Sequence, residues 1–134
     1  MYGKLTLCEY VRVHNMGTRY DAEGAGIFMQ TLSQFPETIA CNLLLAITLS
    51  GEEKHTIYPF EIKITDTENI PLGTVLEGNI DTTKANILAD TIYATSRMQL
   101  TLQKPTALLM AFYVDGVQMD VVKLDVVKME INNK

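Results

Sequence analysis

The sequence predicts an all-β fold: a two-sheet antiparallel β-sandwich of seven to nine strands, immunoglobulin-like or C2-like in architecture, with no long helix. Three observations carry this. Apolar residues recur with a period of two in short segments, the pattern of strands with one buried face. Turn-forming residues punctuate those segments at regular intervals. The length, 134 residues, suits one hydrophobic core, so residues 1–134 are read as a single domain. Two packed layers follow, because one open sheet of this size would leave an apolar face in water.

The elements follow in order. Leu5, Leu7, Val11 and Val13 share one parity against Lys4, Thr6, Tyr10 and Arg12, and Glu9 interrupts the row as a bulge or an edge position. Residues 14–26 carry three glycines and many hydrogen-bonding side chains, the composition of a long hairpin loop with distorted strand ends. A strand is expected over 27–32 and is broken by Phe35-Pro36, since proline lacks a donor. The row Ile39, Cys41, Leu43, Leu45, Ile47 and Leu49, with Leu44 and Ala46 also apolar, predicts a central strand.

Ser50-Gly51-Glu52-Glu53 supplies a turn before a strand in which Tyr58, Phe60, Ile62 and Ile64 alternate with polar positions. Asp66-Thr67-Glu68-Asn69 turns into a shorter strand over 72–80, and residues 85–89 are read as an extended connection. Alternation returns over 91–103 and ends at Lys104-Pro105-Thr106, after which Leu108, Met110, Phe112 and Val114 share a parity. Asp115-Gly116 is the strongest hairpin signal, because both residues tolerate the positive φ of a two-residue type I′ turn. The last strand runs over 117–131, with a bulge expected at Val121-Val122.

Hydrophobic residues make up 47% of the chain and charged residues 20%, too apolar for disorder and too evenly mixed for a membrane-spanning helix. Sixteen Asp and Glu against eleven Lys and Arg leave a net charge of −5. Affinity for phosphates needs the opposite balance, so neither nucleic acid nor anionic membrane is expected as a partner. The opening residues break off before any apolar run of the length a secretory signal uses, which points to the cytoplasm. Cys8 and Cys41 belong to no Cys-x-x-Cys or Cys/His cluster; they are expected to stay reduced as small buried hydrophobes, with no metal and no cofactor.

The stretch Leu7-Cys8-Glu9-Tyr10-Val11-Arg12-Val13, then Gly26-Ile27-Phe28, Phe35-Pro36 and Val114-Asp115-Gly116 resembles a family of small uncharacterised bacterial proteins that carries only a domain-of-unknown-function label. The similarity spans nearly the whole chain. Its motifs are strand and turn punctuation, so the resemblance implies a β-sandwich and no particular substrate. Lys104-Pro105-Thr106 departs from the pattern, standing where a glycine-containing turn is expected.

No catalytic residue is assigned. The only histidines are His14 and His55, no Gly-x-Ser-x-Gly elbow or glycine-rich phosphate loop occurs, and both cysteines lie in apolar strands where a thiolate is costly. The acidic turn at 66–69 is read as satisfying its own backbone in preference to binding calcium, and Asp120 and Asp125 as edge charges that resist aggregation. Loop 14–26 is the candidate recognition site: Arg19 and Tyr20 offer contact area and directional donors, beside His14, Asn15 and Asp21.

The expected function is a non-catalytic cytoplasmic module that binds another protein or assembles with itself, a homodimer being the simplest assembly. A small-ligand or carbohydrate-binding sandwich using one loop end is the alternative. It is weakened by the absence of Trp and by only six Tyr and four Phe, several of them needed in the core. A hydrolase of unrecognised type is the third reading.

Overall fold

The computed structural model describes residues 1–14, 17–83 and 90–129, and the fold there is all-β. Among the described residues ten strands occur: β1 (Tyr2–Cys8), β2 (Tyr10–His14), β3 (Arg19–Glu23), β4 (Met29–Leu32), β5 (Glu37–Thr48), β6 (Ile57–Thr65), β7 (Leu76–Asp81), β8 (Thr91–Leu102), β9 (Thr106–Val114) and β10 (Val117–Lys128). No helix of the described residues is long and apolar enough to cross a membrane.

The strands form a three-stranded sheet β1-β5-β8, a five-stranded sheet β4-β10-β9-β6-β7 and the separate hairpin β2-β3. One hydrophobic core takes side chains from both larger sheets: Leu5, Leu43, Leu45, Ile47 and Met98 from the first, and Ile62, Leu108, Met110, Phe112 and Leu124 from the second. These are the period-two rows of the sequence. Each fully buried side chain of this size adds about 1.5–3 kcal/mol relative to exposure. Leu44 has the opposite parity in β5 yet is also buried, on the side where the hairpin lies against β5 and β8.

Several expectations are corrected. The count is ten strands where seven to nine were expected, because Glu9 ends one strand and Tyr10 begins another, and because residues 19–23 of the supposed loop form β3. The five-stranded sheet is mixed where an antiparallel one was expected, since β4 runs parallel to β10 with Asp125 opposite Met29. No tight turn joins these two strands, so nothing imposes the antiparallel direction that a hairpin requires. The strand expected over 72–80 is confined to β7, with Gly73 at φ +70 outside it. The extended connection expected at 85–89 lies outside the described residues.

Asp115-Gly116 forms the expected tight turn, with φ of 50 and 78 at the two residues. Lys104-Pro105 carries the chain from β8 in one sheet to β9 in the other. The bulge in β10 lies between Gln118 and Asp120, earlier than Val121-Val122. This displacement matters, because the extra residue places Asp120 opposite Phe112, a core-facing position. There Asp120 Oδ2 accepts the Leu5 N–H at 2.8 Å, tying the free edge of β1 to β10. Asp120 is therefore a clasp between two sheets and not the edge charge its sequence context suggests. Gly3 permits the approach: a Cβ there would come within 3.0 Å of Met119 Cβ and 3.1 Å of the Phe112 ring.

Asp120→Ala is expected to lower unfolding free energy by about 1.5–3 kcal/mol, the range for a hydrogen bond to a charged group, in urea titration. Asp125→Ala, which removes the exposed 3.6 Å pair with Lys123, is expected to cost below about 1 kcal/mol. Equal losses would refute the clasp.

Candidate functional site

Of the residues singled out from sequence, His14, Arg19, Tyr20 and Asp21 lie on the β2-β3 hairpin. In its register Arg12 is opposite Asp21, Val13 opposite Tyr20 and His14 opposite Arg19. Alternation thus divides the hairpin: Val11, Val13, Tyr20 and Ala22 share one face, and Tyr10, Arg12, His14, Arg19, Asp21 and Glu23 share the other. On the first face Tyr20 meets Tyr93 of β8 edge-on, with ring centroids 4.7 Å apart. Tyr20 is consequently an anchor that holds the hairpin on the sheet as well as a partly exposed side chain. Gly17, at φ +89, lies directly on β8: a Cβ there would lie 2.9 Å from the Tyr93 carbonyl oxygen.

On the second face His14 Nε2 lies 2.7 Å from Asp21 Oδ2, and Arg19 is exposed across the strand from His14. The structure therefore brings His14 and Asp21 together and leaves Tyr20 on the opposite face; Asn15 lies outside the described residues.

A second candidate, not foreseen from the residues, is a cleft of about 480 Å³ where β1 ends. Its origin is local. The Glu9 N–H donates to the Glu23 carbonyl at 3.1 Å, so the chain leaves β5 to join the hairpin. The Asn42 side-chain amide then donates to the Glu9 carbonyl at 2.8 Å and secures the departure. β1 covers β5 only as far as Asn42, opposite Cys8, while β5 continues to Glu37. Glu9, Ile27, Phe28, Met29 and Ala40 line the resulting opening. Phe28 is 70% exposed and Met29 50% exposed, unusual for large apolar side chains beside a core. The signal that could have located the cleft is the pair Gly24 and Gly26 flanking Ala25, next to Ile27-Phe28-Met29, an apolar run with no strand-like alternation.

The thiols and the acidic turn are held otherwise. Cys8 and Cys41 are buried free thiols. Burial raises the pKa of Cys8, and burial together with the neighbouring Cys8 pushes Cys41 up to about 11. Both therefore favour the unreactive thiol. Asp66 Oδ1 accepts the Glu68 N–H at 2.8 Å and the Ile70 N–H at 3.0 Å, so that carboxylate closes its own turn. Among the described residues no three of His, Cys, Asp and Glu come together in a metal-binding group.

No family model and no curated protein matches the sequence. Among solved structures the chain is similar to Pseudomonas fluorescens alkylpurine DNA glycosylase AlkC bound to DNA containing an abasic site analog, with 9% identity and a TM-score of 0.40. The likeness covers 74% of this chain and 27% of that one, so this chain spans about a quarter of its length.

The thiols give a pH signature. The folded Cys41 pKa, about 11, stands above the ordinary 9.0 that applies when the chain unfolds, so the unfolded state loses its proton first. Stability from this group is fully present below about pH 9 and is lost as pH rises toward 11. Denaturation midpoints measured across that window are expected to fall more steeply for the parent protein than for Cys41→Ala. An identical slope would remove Cys41 as the cause.

Proposed function

We propose that this chain is a non-catalytic cytoplasmic module that binds another protein, its two larger sheets packed as a β-sandwich. The observation that carries the reading is the pair of strand edges left without partners beside the cleft. In the described residues nothing pairs with β4 on the side away from β10, and nothing pairs with β5 beyond Asn42 on the side of β1. An open strand edge offers a row of N–H and C=O groups that another chain can complete, and flanking pockets give selectivity for alternate side chains. The exposed Phe28 and Met29 supply the apolar contact that backbone pairing alone lacks.

The hydrolase reading loses support from the same geometry. Cys8 and Cys41 are buried with raised pKa values, and His14 is engaged with Asp21 on the hairpin face turned away from the sheet. The acidic charge of −5 favours a protein partner over a polyanion.

The reading is tested by placing a photoreactive residue in turn at Ala40, Arg19 and Val121, three separate surfaces, and irradiating living cells. A discrete protein adduct from at least one position is expected. Monomeric protein without adduct at all three would overturn it.

A further inference from the structure

We propose that the cleft accepts an extended segment of a partner protein, added as a strand beside β5 and carrying basic side chains that flank apolar ones. This rests on the interaction-module reading and names the partner chemistry. The backbone comes first. The Leu5 N–H is taken by Asp120 and the Leu7 carbonyl by the N–H groups of Gly26 and Ile27, so these odd residues of β1 face away from β5. The even residues of β1 accordingly pair with Asn42, Leu44, Ala46 and Thr48 of β5.

The same parity continues beyond the end of β1 and directs the backbone groups of Ala40 and Thr38 into the opening. Thr38 behaves as an uncovered edge residue, its N–H donating to the carboxylate of adjacent Glu37 at 3.2 Å. Ala40 lines the cleft itself. Across it, the Phe28 and Leu32 carbonyls accept N–H groups of Asp125 and Met129, so the backbone groups of Met29 and Thr31 point away from β10. The space is bounded by two unpaired edges, one from each large sheet, and an extended chain is the occupant that satisfies such edges.

Charge then selects the side chains. Glu9 lines the opening, Glu37 starts β5 three positions before the lining residue Ala40, and the Glu23 carbonyl accepts the Glu9 N–H. None of the three takes part in an ion pair among the described residues. Glu9 follows Cys8, which is opposite Asn42, so it lies near the level of Cys41, four positions from Glu37. That separation is about 13 Å along a strand, the spacing of residues i and i+4 on one face of an extended peptide. Two basic residues at that spacing meet both carboxylates, and apolar residues between them lie beside Ile27, Phe28 and Met29, which line the cleft. A second copy of this chain is a poorer occupant: two-fold pairing of β5 edges would bring Glu37 of each copy toward Glu9 of the other, like charge against like charge.

The probes are the capped peptides Lys-Val-Thr-Val-Lys and Glu-Val-Thr-Val-Glu, titrated into the intact protein and followed by backbone amide NMR shifts. The basic peptide is expected to perturb Thr38, Ala40, Met29 and Thr31 most and to bind at least about tenfold more tightly than the acidic one. Glu9→Gln combined with Glu37→Gln should bring the two affinities to within about twofold. N-methylation of the basic peptide at one alternate set of amides should abolish binding, and at the other set should not. Equal affinities, shifts centred on another surface, or indifference to both methylation patterns would overturn the proposal. So would concentration-dependent shifts at Thr38 and Ala40 without peptide, which would assign the edge to a second copy. A cellular adduct at Val121 with no peptide shift at Ala40 would overturn this site and leave the interaction-module reading standing.

Discussion

The arrangement of the molecule turns on Glu9, where the backbone changes partners. Up to Cys8 the chain pairs with β5; at Glu9 the N–H is given instead to Glu23, and the carbonyl is held by the Asn42 side chain. One exchange of backbone hydrogen bonds therefore ends β1, starts the β2-β3 hairpin and leaves part of β5 without a described neighbour on the side of β1. Backbone donors and acceptors buried in a sheet must find partners, and a strand that departs early transfers that requirement to whatever lies beside it. Here the first part of β1 is completed from the other sheet by Asp120, while the edge past Asn42 opens onto the cleft.

The two ends of this sheet edge thus differ in kind. Toward Gly3, β1 approaches the other layer closely enough that a Cβ would crowd Met119 and Phe112, and a carboxylate on core-facing parity seals the seam. Toward Glu37, exposed Phe28 and Met29, and carboxylates that form no ion pair among the described residues, stand where β1 no longer covers β5. A closed seam contributes stability; an open one leaves backbone donors and acceptors without strand partners among the described residues. Both belong to the same pair of sheets, and the distinction rests on where one strand stops.

Much of the architecture was legible in local pattern. The odd row of β5 runs through the core from Ile39 to Ile47, Met98 and Met110 are core residues as their parity implies, and Asp115-Gly116 turns where its tolerance of positive φ allows. What escaped was partnership. Asp120 and Asp125 look alike in sequence, yet a one-residue bulge sends the first inward to Leu5 and leaves the second on the surface with Lys123. Tyr20 shares the recognition loop read from sequence with His14 and Asp21, but a strand register, which only long-range packing settles, divides them between two faces.

The sequence by itself determined that the chain would be built of strands, which faces would be apolar and where the tightest turn would fall, because hydropathic alternation and turn chemistry act over a few neighbouring residues. Only the tertiary structure decided that β4 runs parallel to β10, that Asp120 bridges sheets and that β5 outruns β1 to leave a cleft. Those outcomes depend on hydrogen bonds between residues far apart in the chain, such as Leu5 and Asp120, and no local periodicity encodes which distant edge a given edge will meet.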